Sequence, residues 1–157
     1  METLALHRGF LRFTTRDLTD AQAAQRTTIS ALTLGGLIKH VTGVEQGWMA
    51  FAVGGAEGMH SATAEARSWE DQFQMLPGES LSGLLDRYAA VANRTTEIVN
   101  GLSDLDVEHP LPEAPWFEPG AKWSARRVLL HLIAETSQHA GHADIIREAL
   151  DGQKTMG

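Results

Sequence analysis

Residues 123–152, W-S-A-R-R-V-L-L-H-L-I-A-E-T-S-Q-H-A-G-H-A-D-I-I-R-E-A-L-D-G, constrain the fold of this chain more than any other stretch. Ser124 is suited to cap a helix N-terminus and Gly152 to stop the helix. Between them Val128, Leu129, Leu132, Ile133, Ile145, Ile146 and Leu150 return at helical spacing. The same helix carries His131, Glu135, His139 and His142, separated by four, four and three residues. Those intervals bring side chains round to one face, a turn apart. Three imidazoles and a carboxylate thus form a stripe close to the apolar side. Metal binding accounts for such a stripe, since imidazole nitrogen and carboxylate oxygen suit zinc and similar ions and a pair at i, i+4 converges on one ion. The blander alternative is a solvated or core-edge stripe in which Glu135 merely orients His131 or His139.

A site of this kind calls for a ligand from another helix. A second long helix is expected from near Ser30 or Thr33 to about Ala52, with Leu34, Leu37, Ile38, Val41, Val44, Trp48 and Phe51 recurring at threes and fours. His40 lies beside that stripe. Taken alone it reads as a core-edge histidine bonded to a backbone carbonyl or to Glu45; facing the histidine stripe of the last helix, it becomes the candidate third ligand. Cysteine is absent, so any metal must be held by His, Asp or Glu, and any thiol chemistry must use a thiol from outside.

The remaining segments complete a bundle. Residues 2 to about 17 read as a first helix on Leu4, Leu6, Phe10, Leu11 and Phe13, with His7 at its surface or rim. Thr19 or Asp20 caps a short turn through Ala24. Residues 53 to 68, rich in glycine and small side chains, read as a flexible loop, either a plain connection or a lid. Residues 69 to 76 read as a short helical turn or an extended piece. After Pro77-Gly78, Ser80 caps a third long helix ending near Gly101. On it Tyr88 fills core, while Arg87 and Arg94 are either solvated or reach the site to hold an anionic substrate group. Residues 103 to 122, with four prolines, form a crossover whose flanking aromatics Trp116, Phe117 and Trp123 either pin it to the bundle or line a pocket mouth. No strand is expected. The expectation is an all-α four-helix bundle occupying 1–157 as one domain, a frame that builds metal sites from inward-facing side chains.

A net charge of −7 argues against non-specific nucleic-acid or anionic-membrane binding. Residues 1 to 17 are charged and amphipathic rather than a secretion signal, and no apolar run spans a bilayer, so a cytoplasmic protein is expected.

Two motifs, L-T-L-G-G-L-I-K-H-V-T-G-V-E-Q-G-W at 32–48 and H-L-I-A-E-T-S-Q-H-A-G-H-A-D-I-I-R-E-A-L-D-G at 131–152, resemble the DinB superfamily. The likeness is greatest to its actinobacterial branch of mycothiol transferases and domains of unknown function. It implies a bundle of up-down-down-up topology, often dimeric, so a homodimer is expected. The usual triad of that family is one His on the second helix and H-x-x-x-H on the fourth. Aligning the last motif puts Glu135 where the first of those two histidines sits, which implies a triad of His40, Glu135 and His139. The same His, Glu, His set serves zinc in the similar mycothiol-dependent maleylpyruvate isomerases, in their N-terminal domain. His131 and His142 are left as supporting or substrate-contacting groups, either able to replace a triad member. The implied cofactors are a divalent metal, zinc first with nickel, iron or manganese as alternatives, and a low-molecular-weight thiol as co-substrate. The implied function is a thiol-dependent S-transferase of mycothiol type acting on small electrophiles. Two rivals stand beside it: a metal-dependent hydrolase using metal-bound water, and a non-enzymatic, stress-associated metal- or ligand-binding bundle.

Overall fold

Every helix after the first begins where a side-chain oxygen stands in for a missing backbone acceptor. The structure, a computed structural model, describes residues 1–64, 68 and 70–155. Its long helices are α1 (Glu2–Phe13), α3 (Leu34–Thr63), α4 (Leu81–Gly101) and α5 (Ala125–Asp151), with a short α2 (Asp20–Ala23) between the first two. Thr33, Ser80 and Ser124 accept from the backbone N–H of Gly36, Gly83 and Arg127, capping α3, α4 and α5. Thr19 and Gln22 form a reciprocal capping box on α2. Gly152 closes α5 in the left-handed conformation (φ 78°).

Two hydrophobic clusters, one at each end of the bundle, give the helix directions. One joins Leu11 at the end of α1, Leu34 to Val41 at the start of α3, Leu84 and Tyr88 early in α4, and Ala140 to Ile146 late in α5. The other joins Leu4, then Met49 and Phe51, then Ile98 and Leu102, then Ala125 to Leu132. Helices α1 and α5 therefore run one way and α3 and α4 the other, which is the up-down-down-up order.

Three expectations are corrected in detail. The first helix stops at Phe13 rather than about 17, because the hydroxyls of Thr14 and Thr15 bond back to the Leu11 and Arg12 carbonyls and Asp17 turns to φ 58°. Most of 53–68 is not a loop: α3 continues to Thr63 across a sharp reversal at Gly55 (φ 63°, ψ −155°), backbone open in practice only to glycine. The arm 56–63 folds back along the first part of α3, where Gln46 Nε2 donates to the Ala62 carbonyl at 3.3 Å and Gly58 backs onto the Ala50 carbonyl. The small residues there buy close packing rather than freedom. Of the rest of that stretch, Glu65, Ala66 and Arg67 lie outside the described residues. The segment 69–76 includes a 3-10 turn (Glu70–Phe73), with Trp69 outside the described residues. Finally, the crossover contains strands after all. β1 (Glu108–Pro110) pairs antiparallel with β2 (Lys122–Ser124), His109 opposite Trp123. Three-residue strands carry too little alternation to be seen in sequence.

No described helix is long and apolar enough to cross a membrane.

The helices are also tied through charge. Arg8 on α1 donates from Nε to Glu45 Oε2 at 3.0 Å and from Nη2 to Oε1, and Thr95 on α4 donates to Oε1 at 2.5 Å. Glu45 is 1% exposed. Burial, and next the Glu45 charge, hold the adjoining Tyr88 hydroxyl well above its usual pKa. Elsewhere Arg147, equally buried, donates to the Thr14 and Arg16 carbonyls and to Asp151, stitching α5 to the end of α1. Glu45→Ala should cost about 3–5 kcal/mol in urea unfolding, by stranding the buried guanidinium. Arg8→Met combined with Glu45→Leu should cost less than Glu45→Ala alone; an additive double variant would contradict this.

Candidate metal centre

His40 sits on α3, two turns in from the Thr33 cap, and its ring is buried at 6% exposure. Its rotation about the helix turns it toward α5. Glu45, an alternative partner by spacing, is committed to Arg8 and Thr95 instead. The His40 ring stacks on Phe73 at 4.2 Å between centroids. Phe73 can sit there because Gly36 has no side chain: a Cβ at Gly36 would lie 1.8 Å from the Phe73 carbonyl oxygen. The second glycine of the G-G pair at 35–36 therefore serves the site.

From α5, Glu135 and His139 come round on consecutive turns to meet His40. One ligand atom from each of the three residues lies within 4.8 Å of the other two. A tetrahedral ion with ligands at about 2.1 Å places them about 3.4 Å apart. The triad spans up to 4.8 Å, wider than that spacing, and its two α5 members are half-buried rather than locked in the core. His139 Nε2 is already 3.5 Å from Glu135 Oε2. Two imidazoles and one carboxylate form a donor set suited to zinc and to other borderline divalent ions, and three protein ligands leave a position open.

Protonation favours the same use. Burial, reinforced by neighbouring His139 and opposed by Glu135, lowers the His40 pKa to about 4, so its ring is neutral with a lone pair available. A hydrogen bond from His139, with further help from the His131, His139 and His40 rings, holds the Glu135 pKa below its usual value despite partial burial. The site thus presents a neutral His40 imidazole and an ionised Glu135 carboxylate at neutral pH.

A family model described as mycothiol-S-transferase matches residues 1–152. The chain belongs to the mycothiol-S-transferase family, which is DinB-like. No match was found among curated proteins. Among solved structures, a conserved protein of Enterococcus faecalis superposes with a TM-score of 0.70 at 17% identity, covering 97% of this chain and 95% of that one. At that identity the likeness carries the fold.

In this mycothiol-S-transferase family member the other two histidines of the stripe flank the triad. His131 Nε2 lies 3.9 Å from Glu135 Oε1, and its ring is walled by Trp48 and Trp123 at 5.0 and 5.2 Å. Burial lowers its pKa as well. His142 Nδ1 is 3.3 Å from His139 Nδ1, on the far side of the ring from Glu135. Such a hydrogen bond fixes which nitrogen of His139 faces the carboxylate.

His40 also borders an open cleft of about 980 Å³ that runs along α3 to the arm 56–63 and on to Glu79. Arg87 lines that cleft and donates to Gln46 Oε1 at 3.3 Å. Arg94 does not line it; it is exposed and pairs with Glu97 at 2.9 Å. His7 packs edge-on against Phe10, and His60 is exposed on the arm. Two supports of the site, Phe73 and Gly36, were given no role by the sequence, where only the G-G pair left a mark; the stack at 4.7 Å joins Trp48, read as core, to Trp123, read as a crossover pin or pocket-mouth residue.

The depressed His40 pKa sets a direction for stability. Between pH 6.5 and about 4 the unfolded chain protonates this ring and the folded chain does not. Folding stability therefore falls as pH drops through that window and is unaffected by this group above it. Metal-free protein should lose on the order of 2 kcal/mol between pH 6.5 and 4.5 in chemical denaturation, and His40→Gln should flatten the slope. An equal slope in His40→Gln would remove His40 as its source.

Proposed function

We propose that this chain is a divalent-metal-dependent S-transferase that joins a low-molecular-weight thiol of mycothiol type to a small electrophile. The observation that carries the reading is the convergence of His40, Glu135 and His139 from two helices at the edge of an open cleft. Membership of the mycothiol-S-transferase family supports the choice of co-substrate. His40, Glu135 and His139 are the ligands in this reading, and zinc is the first candidate ion. A divalent ion held there supplies Lewis-acid charge that lowers the pKa of a thiol, so that its sulfur reacts as thiolate at neutral pH.

The chain's own residues do the rest. Phe73 and the Trp48–Trp123 stack hold His40 and His131 in place and keep that side of the site apolar. His142 orients His139, and His131 stands beside the carboxylate of Glu135. The cleft is lined by the Ser61 hydroxyl and the Gln72 amide, groups that a polar, hydroxyl-rich thiol can engage. In the reaction the thiol proton passes to solvent. The sulfur electron pair then forms the carbon–sulfur bond, and the displaced group of the electrophile leaves with the bonding pair. Since the protein has no cysteine, the reacting sulfur comes entirely from the co-substrate.

Untagged protein should carry about one zinc or similar ion per chain by elemental analysis. His40→Ala, Glu135→Ala and His139→Ala should each lose it, while His142→Ala should bind metal about 10- to 100-fold more weakly. Metal-loaded protein should consume mycothiol and chlorodinitrobenzene faster than buffer, with the excess rate lost in the three ligand variants. A chain that takes up no metal on reconstitution, or that is inert with mycothiol, bacillithiol and glutathione alike, would not be this enzyme.

A further inference from the structure

A second cavity lies on the other side of Gln46. It is a groove of about 620 Å³ between α3, the returning arm 56–63 and α4, within the size range of small-molecule pockets, about 300–1,000 Å³. Its walls are apolar, with Met49, Val53, Val91 and Ile98 the larger side chains. It is open because the helices meet there through small residues, and a Cβ added at Gly54 would touch nothing. The charged groups on the groove are Arg87 and Arg94, two helical turns apart on α4 and so about 10 Å along its axis. Among the described residues no carboxylate lines it, in a chain whose net charge is −7. The ion pair of Arg94 with Glu97 is solvent-exposed, of a kind worth little, and uses one edge of the guanidinium. Groove and cleft share Gln46, Ala62 and Arg87. Gln46 is held between them, donating to the Ala62 carbonyl and accepting from Arg87.

We infer that this groove binds the electrophilic substrate, and that the substrate is an amphipathic organic acid. Its anionic group lies on Arg94 and its apolar body runs along the floor past Val91 and Met49. Its other end reaches the Gln46–Arg87 junction, where groove and cleft meet. The apolar lining without a charged acceptor selects against hydroxyl-rich molecules, and the two guanidinium groups select for a carboxylate or similar anion. The two substrates of the transfer thus approach from separate cavities, the polar thiol through one and the acid through the other.

The inference rests on the transferase reading for the fate of the acid, but its test reads binding alone. Octanoate and octan-1-ol are titrated calorimetrically into full-length protein without thiol, alongside Arg94→Ala, Ala90→Phe and His139→Ala. The expected result is saturable octanoate binding, at least about tenfold tighter than octanol, weakened about tenfold by Arg94→Ala and by Ala90→Phe, and retained in His139→Ala. Arg94 is exposed, so its variant folds even if the groove-filling one does not. Absent binding, equal binding of the alcohol, or binding lost in His139→Ala but kept in Arg94→Ala would overturn the assignment. So would sedimentation showing a dimer that Ala90→Phe dissociates, since a second copy would then close the groove. A chain that binds octanoate as expected yet transfers no thiol would leave the groove standing and remove the transferase reading, whereas thiol transfer without octanoate binding would do the reverse.

Discussion

Everything at the candidate centre depends on how α3 is rotated, and that rotation is set by a buried charge. Glu45 meets Arg8 of α1 and Thr95 of α4 inside the bundle. A carboxylate 1% exposed cannot turn elsewhere without losing these partners, and the cost of an unpaired buried charge makes the arrangement close to all-or-none. Five residues separate His40 from Glu45, an angle of about 140° round a helix of 3.6 residues per turn. Fixing the carboxylate between α1 and α4 therefore directs the imidazole to the opposite side, where Glu135 and His139 arrive from α5. The pair is a costly stabiliser in isolation, and its value lies in specifying one rotation of one helix.

The donors themselves are carried by rigid elements. Two come from consecutive turns of a capped helix, and the third is clamped between Phe73 and His139. Side chains whose rotamers are locked by packing hold a site to tighter tolerance than side chains on loops. The low proton affinity of His40 belongs to the same design, because the burial that fixes the ring also keeps it neutral.

Much of this was legible in the sequence for definite reasons. The caps at Thr33, Ser80 and Ser124 and the stop at Gly152 are local signals, and α3, α4 and α5 begin at those caps and α5 ends at that stop. The stripe on α5 was readable because helical geometry converts spacing of four directly into proximity. What could not be read were partners distant in sequence. Nothing local marks Arg8 as the partner of Glu45, which the sequence offers instead to His40, or Arg147 as a tie to the end of α1, yet all three are buried. Residues 53–63 were misread because small residues signal freedom in an isolated segment and close approach in a folded one. Gly55 turns the chain so that its neighbours pack back on α3. The short hairpin was missed because a three-residue strand has no period to detect.

That reversal at Gly55 separates two tasks within the chain. The arm 56–63 walls both cavities but supplies none of the three donors, and Gln46 hydrogen-bonds it to the first part of α3. Changes in its length or bulk reshape what the protein admits while α3 and α5 go on presenting the same two imidazoles and carboxylate. A fold arranged in this way can diversify its choice of small molecules by drift in one surface segment, with the chemistry kept constant underneath.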